Sequence, residues 1–111
     1  MTRISWLAAL ILAAATALPA SADDAAPIAV TLKDHRFTPS EIHVKANMAS
    51  EIRLTNADST AEEFDSSALH VEKVVAGGAN GIVRLRPLAP GHYPFMGEYH
   101  SGTARGVVIA E

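Results

Sequence analysis

Gly91-His92-Tyr93-Pro94-Phe95-Met96-Gly97-Glu98-Tyr99-His100 changes character residue by residue. Successive side chains of an extended strand point to opposite faces, so Tyr93, Phe95 and Gly97 fall on one side and His92, Met96 and Glu98 on the other. Ala89-Pro90-Gly91 before this stretch and Ser101-Gly102-Thr103 after it are turn and loop chemistry.

The same period of two extends outward in both directions. Ile28, Val30 and Leu32 alternate with Ala29, Thr31 and Lys33, Ile42 and Val44 with His43 and Lys45, and Ile52 and Leu54 with Arg53 and Thr55. Val83 and Leu85 repeat it against Arg84 and Arg86, and Val107 and Ile109 carry the apolar side near the end. Thr38-Pro39-Ser40, Ala46-Asn47, Asn56-Ala57-Asp58-Ser59 and the run from Ala76 to Gly81 separate the strands. Short strands at this spacing predict an all-β sandwich or barrel. A short helix between Ser59 and Ala68 is the one helical reading the pattern leaves open.

A chain of 111 residues accommodates one compact domain. It contains no Cys, which excludes a disulfide framework, a thiolate zinc site, an iron–sulfur cluster, a cysteine nucleophile and a blue-copper centre. Residues 1–22 have a basic start at Arg3, an apolar run from Ile4 to Leu18, and Pro19-Ala20-Ser21-Ala22, the form of an export signal cleaved after Ala22. The apolar run is shorter than the roughly 20 residues a membrane span requires. Removing 22 of the 111 residues leaves a domain over 23–111 of 89 residues, with eight Lys and Arg against twelve Asp and Glu, a net charge of −4. That balance, without a basic stripe or interleaved aromatics, argues against nucleic acid and anionic membrane as partners.

Hydrolase and transferase signatures are missing: there is no nucleophile elbow, zinc-protease helix, phosphate loop or dinucleotide fingerprint. Glu62 and Glu63 are adjacent, so on a strand they face opposite ways and cannot share a substrate. Ser66 or Ser67 with His70 and Asp65 could be drawn as a triad, but nothing supplies an oxyanion hole, and a polar turn accounts for them. In ideal alternation Met96, Glu98 and His100 share one face, placing a thioether, a carboxylate and an imidazole within reach of a single ion. A solvated outer strand face has the same spacing.

A resemblance adds to this reading. Gly91-His92-Tyr93-Pro94-Phe95, His100 and Gly106-Val107-Val108-Ile109 resemble the last two strands of the cupredoxins. Phe37-Thr38-Pro39-Ser40-Glu41-Ile42-His43-Val44, Leu54-Thr55-Asn56-Ala57-Asp58 and Ala61-Glu62-Glu63-Phe64 resemble the corresponding upstream strands. The resemblance covers about Ile28 to Glu111 and implies a Greek-key β-sandwich with a metal at one end. The usual first His would fall at Glu62, the Cys at Gly97, the second His at His100 and the axial Met near Ala104, so His100 alone is kept. Losing the thiolate and gaining a carboxylate shifts such a site from blue copper toward oxygen donors.

Glu-Glu-Phe at 62–64 and Gly-Glu-Tyr-His at 97–100 are similar to segments of the cysteine-free periplasmic cupredoxin-like proteins that accompany bacterial iron-uptake systems. The resemblance implies a periplasmic protein that binds copper or iron and assists ferrous-iron oxidation or delivery to an iron permease. The expected metal ligands are Glu62, Glu98 and His100, with Met96 as a soft ligand if copper is bound. Glu62 has the parity of Phe64 and is expected to point into the sandwich end, whereas Glu63 and Asp65 have the opposite parity. His70 and Glu72 form another same-face pair, a candidate second site or an exposed strand face. His35, His43 and His92 are read as surface or structural residues. The competing reading is a metal-free sandwich that docks a basic partner through its acidic end.

Overall fold

The computed structural model describes residues 26–111, together with Thr2. The expected export signal over 1–22 and its cleavage point lie, Thr2 apart, outside the described residues.

Nine strands follow in chain order: β1 (Ile28–Lys33), β2 (Arg36–Thr38), β3 (Glu41–Val44), β4 (Ser50–Asn56), β5 (Glu62–Ser66), β6 (Val71–Val75), β7 (Asn80–Leu85), β8 (Gly91–Gly97) and β9 (Arg105–Ala110). A single 3-10 turn over Glu98–His100 is the only helical element among the described residues. One sheet has the order β2-β1-β4-β7 and the other β3-β9-β8-β5-β6. The chain crosses between sheets after β2, after β3, after β4, after β6 and after β7, so sequence neighbours are divided between the two layers. β1 pairs in parallel with β4, and β3 with β9, while the remaining pairs are antiparallel. The expected all-β, two-sheet architecture is the one observed.

Alternation buries one face of each sheet against the other. Val30, Leu32, Ile42, Val44, Ile52, Leu54, Val83 and Leu85 are all buried, as their spacing predicts. In the second sheet the alternation differs from the expectation at β9, where Val108 and Ala110 are buried and Val107 and Ile109 are half-buried. β9 lies between β3 and β8, and both of its faces are partly covered, so its continuous apolar run carries no parity signal. Residues 62–66 form a strand, not part of a helix: Glu62, Phe64 and Ser66 face inward and Glu63 and Asp65 outward.

Phe37, Phe64 and Phe95 meet within the core. The rings of Phe64 and Phe95 stack with centroids 4.6 Å apart, and Phe37 meets Phe95 edge-on at 5.1 Å. Burying a Phe side chain contributes about 1.5–3 kcal/mol. Gly106 permits this packing, because a Cβ there would come within 2.2 Å of Phe95 Cζ and 2.6 Å of the Ser40 carbonyl oxygen. Phe64 lies two residues after Glu62, and Phe95 two before Gly97, so the aromatic cluster underlies the sandwich end at which those two residues meet.

Candidate metal centre

β5 starts at Glu62, whose inward parity carries its carboxylate into the end of the sandwich, where it is 1% exposed. An ionised carboxylate out of water must be paired or fully hydrogen-bonded. Glu62 Oε1 accepts the Tyr99 backbone N–H at 2.8 Å and the Glu63 backbone N–H at 3.1 Å. Glu62 Oε2 lies 2.6 Å from Nδ1 of His100. Gly97 makes this fit possible: a Cβ at that position would lie 2.7 Å from Glu62 Cδ and 2.8 Å from Ala104 Cβ. The space that the cupredoxin resemblance allots to a cysteine side chain is thus taken by the carboxylate of Glu62.

His100 reaches Glu62 because the strand ends first. β8 stops at Gly97 and the chain turns through 98–100 in 3-10 conformation. The loop is closed by Gly97 N–H to the Ala104 carbonyl at 2.8 Å and by Ala104 N–H to the His100 carbonyl at 2.9 Å. At three residues per turn the face alternation of β8 is lost.

The structure divides the expected ligand set. Met96 pairs with Asp65 across β5 and β8 and shares its outward parity, whereas Gly97 pairs with buried Phe64. Glu98 is exposed and faces Asp65 and Glu63 on the outer side. Glu62 and His100 are brought together; Met96 and Glu98 are not part of their group.

The third member is His35, read from sequence as a surface or structural residue. One donor atom each from His35, Glu62 and His100 lies within 4.8 Å of the others. The imidazoles of His35 and His100 stack in parallel, centroids 3.6 Å apart and planes 10° apart. His35 occupies the two-residue turn between β1 and β2, with φ 51° at Asp34 and 57° at His35. Positive φ at both central residues is the geometry of a type I′ hairpin, usually filled by Asn-Gly. Asp58, from the β4–β5 loop, accepts the Asp34 N–H at 2.7 Å and the His35 N–H at 3.0 Å. These two bonds hold the Asp58 carboxyl below the ordinary carboxylate range. His35 Nδ1 is 3.4 Å from Asp58 Oδ2, too long and misdirected for a good hydrogen bond, and it has no other partner.

On the outer face of the second sheet, donor atoms of Glu63, Asp65 and Glu72 lie within 4.8 Å of one another. Glu98 joins them. The hydrogen bond to Asp65 and the charges of Asp65 and Glu63 hold its carboxyl above the usual value. Tyr99 is raised by partial burial and by Glu63. Glu63 and Asp65 therefore have the outward orientation their parity predicts, and Glu72 belongs to this outer group. His70 ends the Ser67–His70 turn in left-handed conformation (φ 57°) before β6 starts, so it has no strand parity to share with Glu72. Ser66 has no free nucleophile: its hydroxyl donates to the Pro94 carbonyl at 2.6 Å and accepts the Leu69 N–H at 3.0 Å. His43 is an exposed partner of Glu111 at 2.7 Å and Glu41 at 3.1 Å, and His92 is exposed.

A cupredoxin-like domain model matches residues 4–110. The chain belongs to the cupredoxin-like family. It is 38% identical over 87 residues to an uncharacterized protein of Rickettsia prowazekii (strain Madrid E), covering 78% of this chain and 70% of that protein. Solved structures share the fold at lower identity. The metal-binding domain of the Cu(I)-exporting P-type ATPase of Streptococcus pneumoniae D39, determined with Cu(I), superposes with a TM-score of 0.68 at 14% identity, over 77% of this chain and 84% of that one. A purple cupredoxin from Nitrosopumilus maritimus gives 0.59 at 12% identity, over 76% and 99%. An oxidised amicyanin variant gives 0.61 at 18%, over 79% and 87%. This cupredoxin-like chain lacks the cysteine of a blue-copper site. Its donors at that end of the fold are one carboxylate and two imidazoles, a set suited to Cu(II) or iron and poor in the soft sulfur that Cu(I) prefers.

Proposed function

We propose that this protein is an exported metal-binding accessory of iron uptake, holding a copper or iron ion with Glu62, His100 and His35 and assisting the oxidation of ferrous iron or its delivery to a permease. The observation that carries the reading is Glu62: a carboxylate buried to 1% exposure, with an imidazole at 2.6 Å and a second imidazole stacked on the first. Burying a carboxylate is costly unless it is paired, and Glu62 stands where the cupredoxin resemblance puts the first histidine ligand. A copper ion held there would supply one-electron redox chemistry. The signal-like sequence of residues 1–22 supports a periplasmic location, and the likeness of Glu62-Glu63-Phe64 and Gly97-Glu98-Tyr99-His100 to iron-uptake components supports the pathway.

Native mass spectrometry of the purified domain with Cu(II) and with Fe(II) under anaerobic conditions tests the reading. One ion is expected per chain, with a chelator-reversible rise in Tm. The uptake is expected to be lost in Glu62→Ala and in His100→Ala, and absence of stoichiometric uptake by the unaltered protein overturns the proposal.

A second reading has its own observation. Both oxygens of Glu62 are satisfied internally, and the outer group of Glu63, Asp65, Glu72 and Glu98 is acidic. On that reading the domain docks a basic partner without any ion. Salt-sensitive association of the chelator-treated protein with such a partner would favour it.

A further inference from the structure

Asn56 is fully buried and holds the β4–β5 loop in one shape. Its Nδ2 donates to the Thr60 carbonyl at 2.9 Å and the Val75 carbonyl at 3.1 Å, and its Oδ1 accepts the Asp58 N–H at 3.0 Å. The Ala57 N–H, donated to the Leu32 carbonyl at 2.8 Å, ties the same loop to β1. Asp58 is thereby presented to the turn after β1.

That turn is otherwise poorly suited to its conformation. Left-handed backbone at a non-glycine residue is unfavourable by roughly 1 kcal/mol or more, and Asp34 and His35 adopt it in succession. The Asp58 carboxylate bonds both of their N–H groups, one per oxygen. The same Oδ2 lies 3.4 Å from His35 Nδ1 without a hydrogen bond to it, so Asp58 acts on the ring through the backbone. The hairpin demands left-handed backbone at both residues, and the clamp offsets its cost and holds the turn that carries the His35 ring onto His100.

We propose that Asp58 is a positioning residue that fixes the backbone of His35 and, through it, the pose of its ring, so that His35 serves as a preorganised third donor beside Glu62 and His100. The role of His35 as a ligand rests on the metal-binding reading above; the fixing of its ring by Asp58 does not. Carboxylates that orient a ligating histidine commonly change metal affinity by about tenfold to a hundredfold.

The test is a double-mutant cycle on Cu(II) affinity, combined with NMR of the histidine rings in the metal-free protein. Asp58→Ala is expected to weaken Cu(II) binding about tenfold or more, and to weaken it no further in the His35→Ala background. In the metal-free protein, Asp58→Ala should abolish the nuclear Overhauser contacts between the His35 and His100 rings. Asp58→Asn, which retains an acceptor for one N–H, should restore part of both effects and serves where Asp58→Ala folds poorly. Equal losses of affinity with and without His35 would overturn the positioning role. If the unaltered protein takes up no ion, the ligand role falls with the metal-binding reading, and ring contacts unchanged in Asp58→Ala would overturn the fixing of His35 as well.

Discussion

Replacing Gly97 by Ala tests whether the glycine exists to admit Glu62. Gly97 has φ −89° and ψ 107°, ordinary extended backbone, so alanine brings no conformational strain. Restricting the unfolded chain should even stabilise by about 0.4–1 kcal/mol. The steric effect opposes this, because the new methyl would lie 2.7 Å from Glu62 Cδ, 3.0 Å from Glu62 Cγ and 2.8 Å from Ala104 Cβ. Overpacking of this kind costs about 1–3 kcal/mol. Displacing the carboxylate also weakens its bonds to the Tyr99 N–H, the Glu63 N–H and His100. The net expectation is a loss of about 2 kcal/mol, which for a domain of this size lowers Tm by about 8–16 °C. Urea denaturation of Gly97→Ala, Glu62→Ala and the double variant provides the assay. Ala104 stays close in every variant, so Glu62→Ala should relieve part of the penalty, giving a coupling energy of about 0.5–3 kcal/mol. Strict additivity of the two single substitutions would refute the argument that Glu62 occupies the space Gly97 leaves. Gly102→Ala, whose added Cβ meets nothing within 4 Å, is the control and should change Tm little.

Glu62→Gln preserves the shape of the side chain and removes its charge; losing a charge-assisted bond to His100 should destabilise the metal-free domain by about 1–3 kcal/mol in urea denaturation. Asp58 has a carboxyl held low by the N–H groups of His35 and Asp34, so its contribution to stability is present above the ordinary carboxylate pKa and is lost as pH falls through the depressed value. Asp58→Asn should accordingly flatten the acid limb of a Tm-against-pH curve, and an unchanged limb would contradict the assignment. Glu98 is shifted the other way, chiefly by its hydrogen bond to Asp65 and that residue's charge. The folded state then holds the proton more tightly than the unfolded one, and stability falls as pH rises from the ordinary value through the raised one. Glu98→Gln should raise Tm at neutral pH and low salt, and lose that advantage both in acid and at high salt.

Strand content was legible because one face of nearly every strand is wet. Val30, Leu32, Ile52 and Leu54 are buried where period two places them. The inward parity of Glu62 was readable for the same reason, through its offset of two from Phe64. Parity failed where its physical basis did. β9 is buried on one face and half-buried on the other, so Val107-Val108-Ile109 offers no polar partner face. Met96, Glu98 and His100 have strand spacing, but the strand ends at Gly97, and the 3-10 turn sends Glu98 outward and His100 to Glu62. His35 precedes Glu62 by 27 positions, and only the crossing between sheets makes them neighbours. The available local signal was a two-residue connection, Asp34-His35, between Lys33 and Arg36, where a histidine in place of glycine is unusual. Asp58 carried less signal still, being one acidic residue in a loop of turn formers.

The two oxygens of Glu62 divide their labour. Oε1 is anchored to the peptide backbone of both Glu63 and Tyr99, while Oε2 answers only to a side chain. Exchanging the partner of Oε2 therefore asks for the swing of one imidazole and leaves the polypeptide path untouched. If an ion takes that place, the adjustment falls on the pose of the His100 ring, while the two backbone bonds of Oε1 hold the carboxylate where it is.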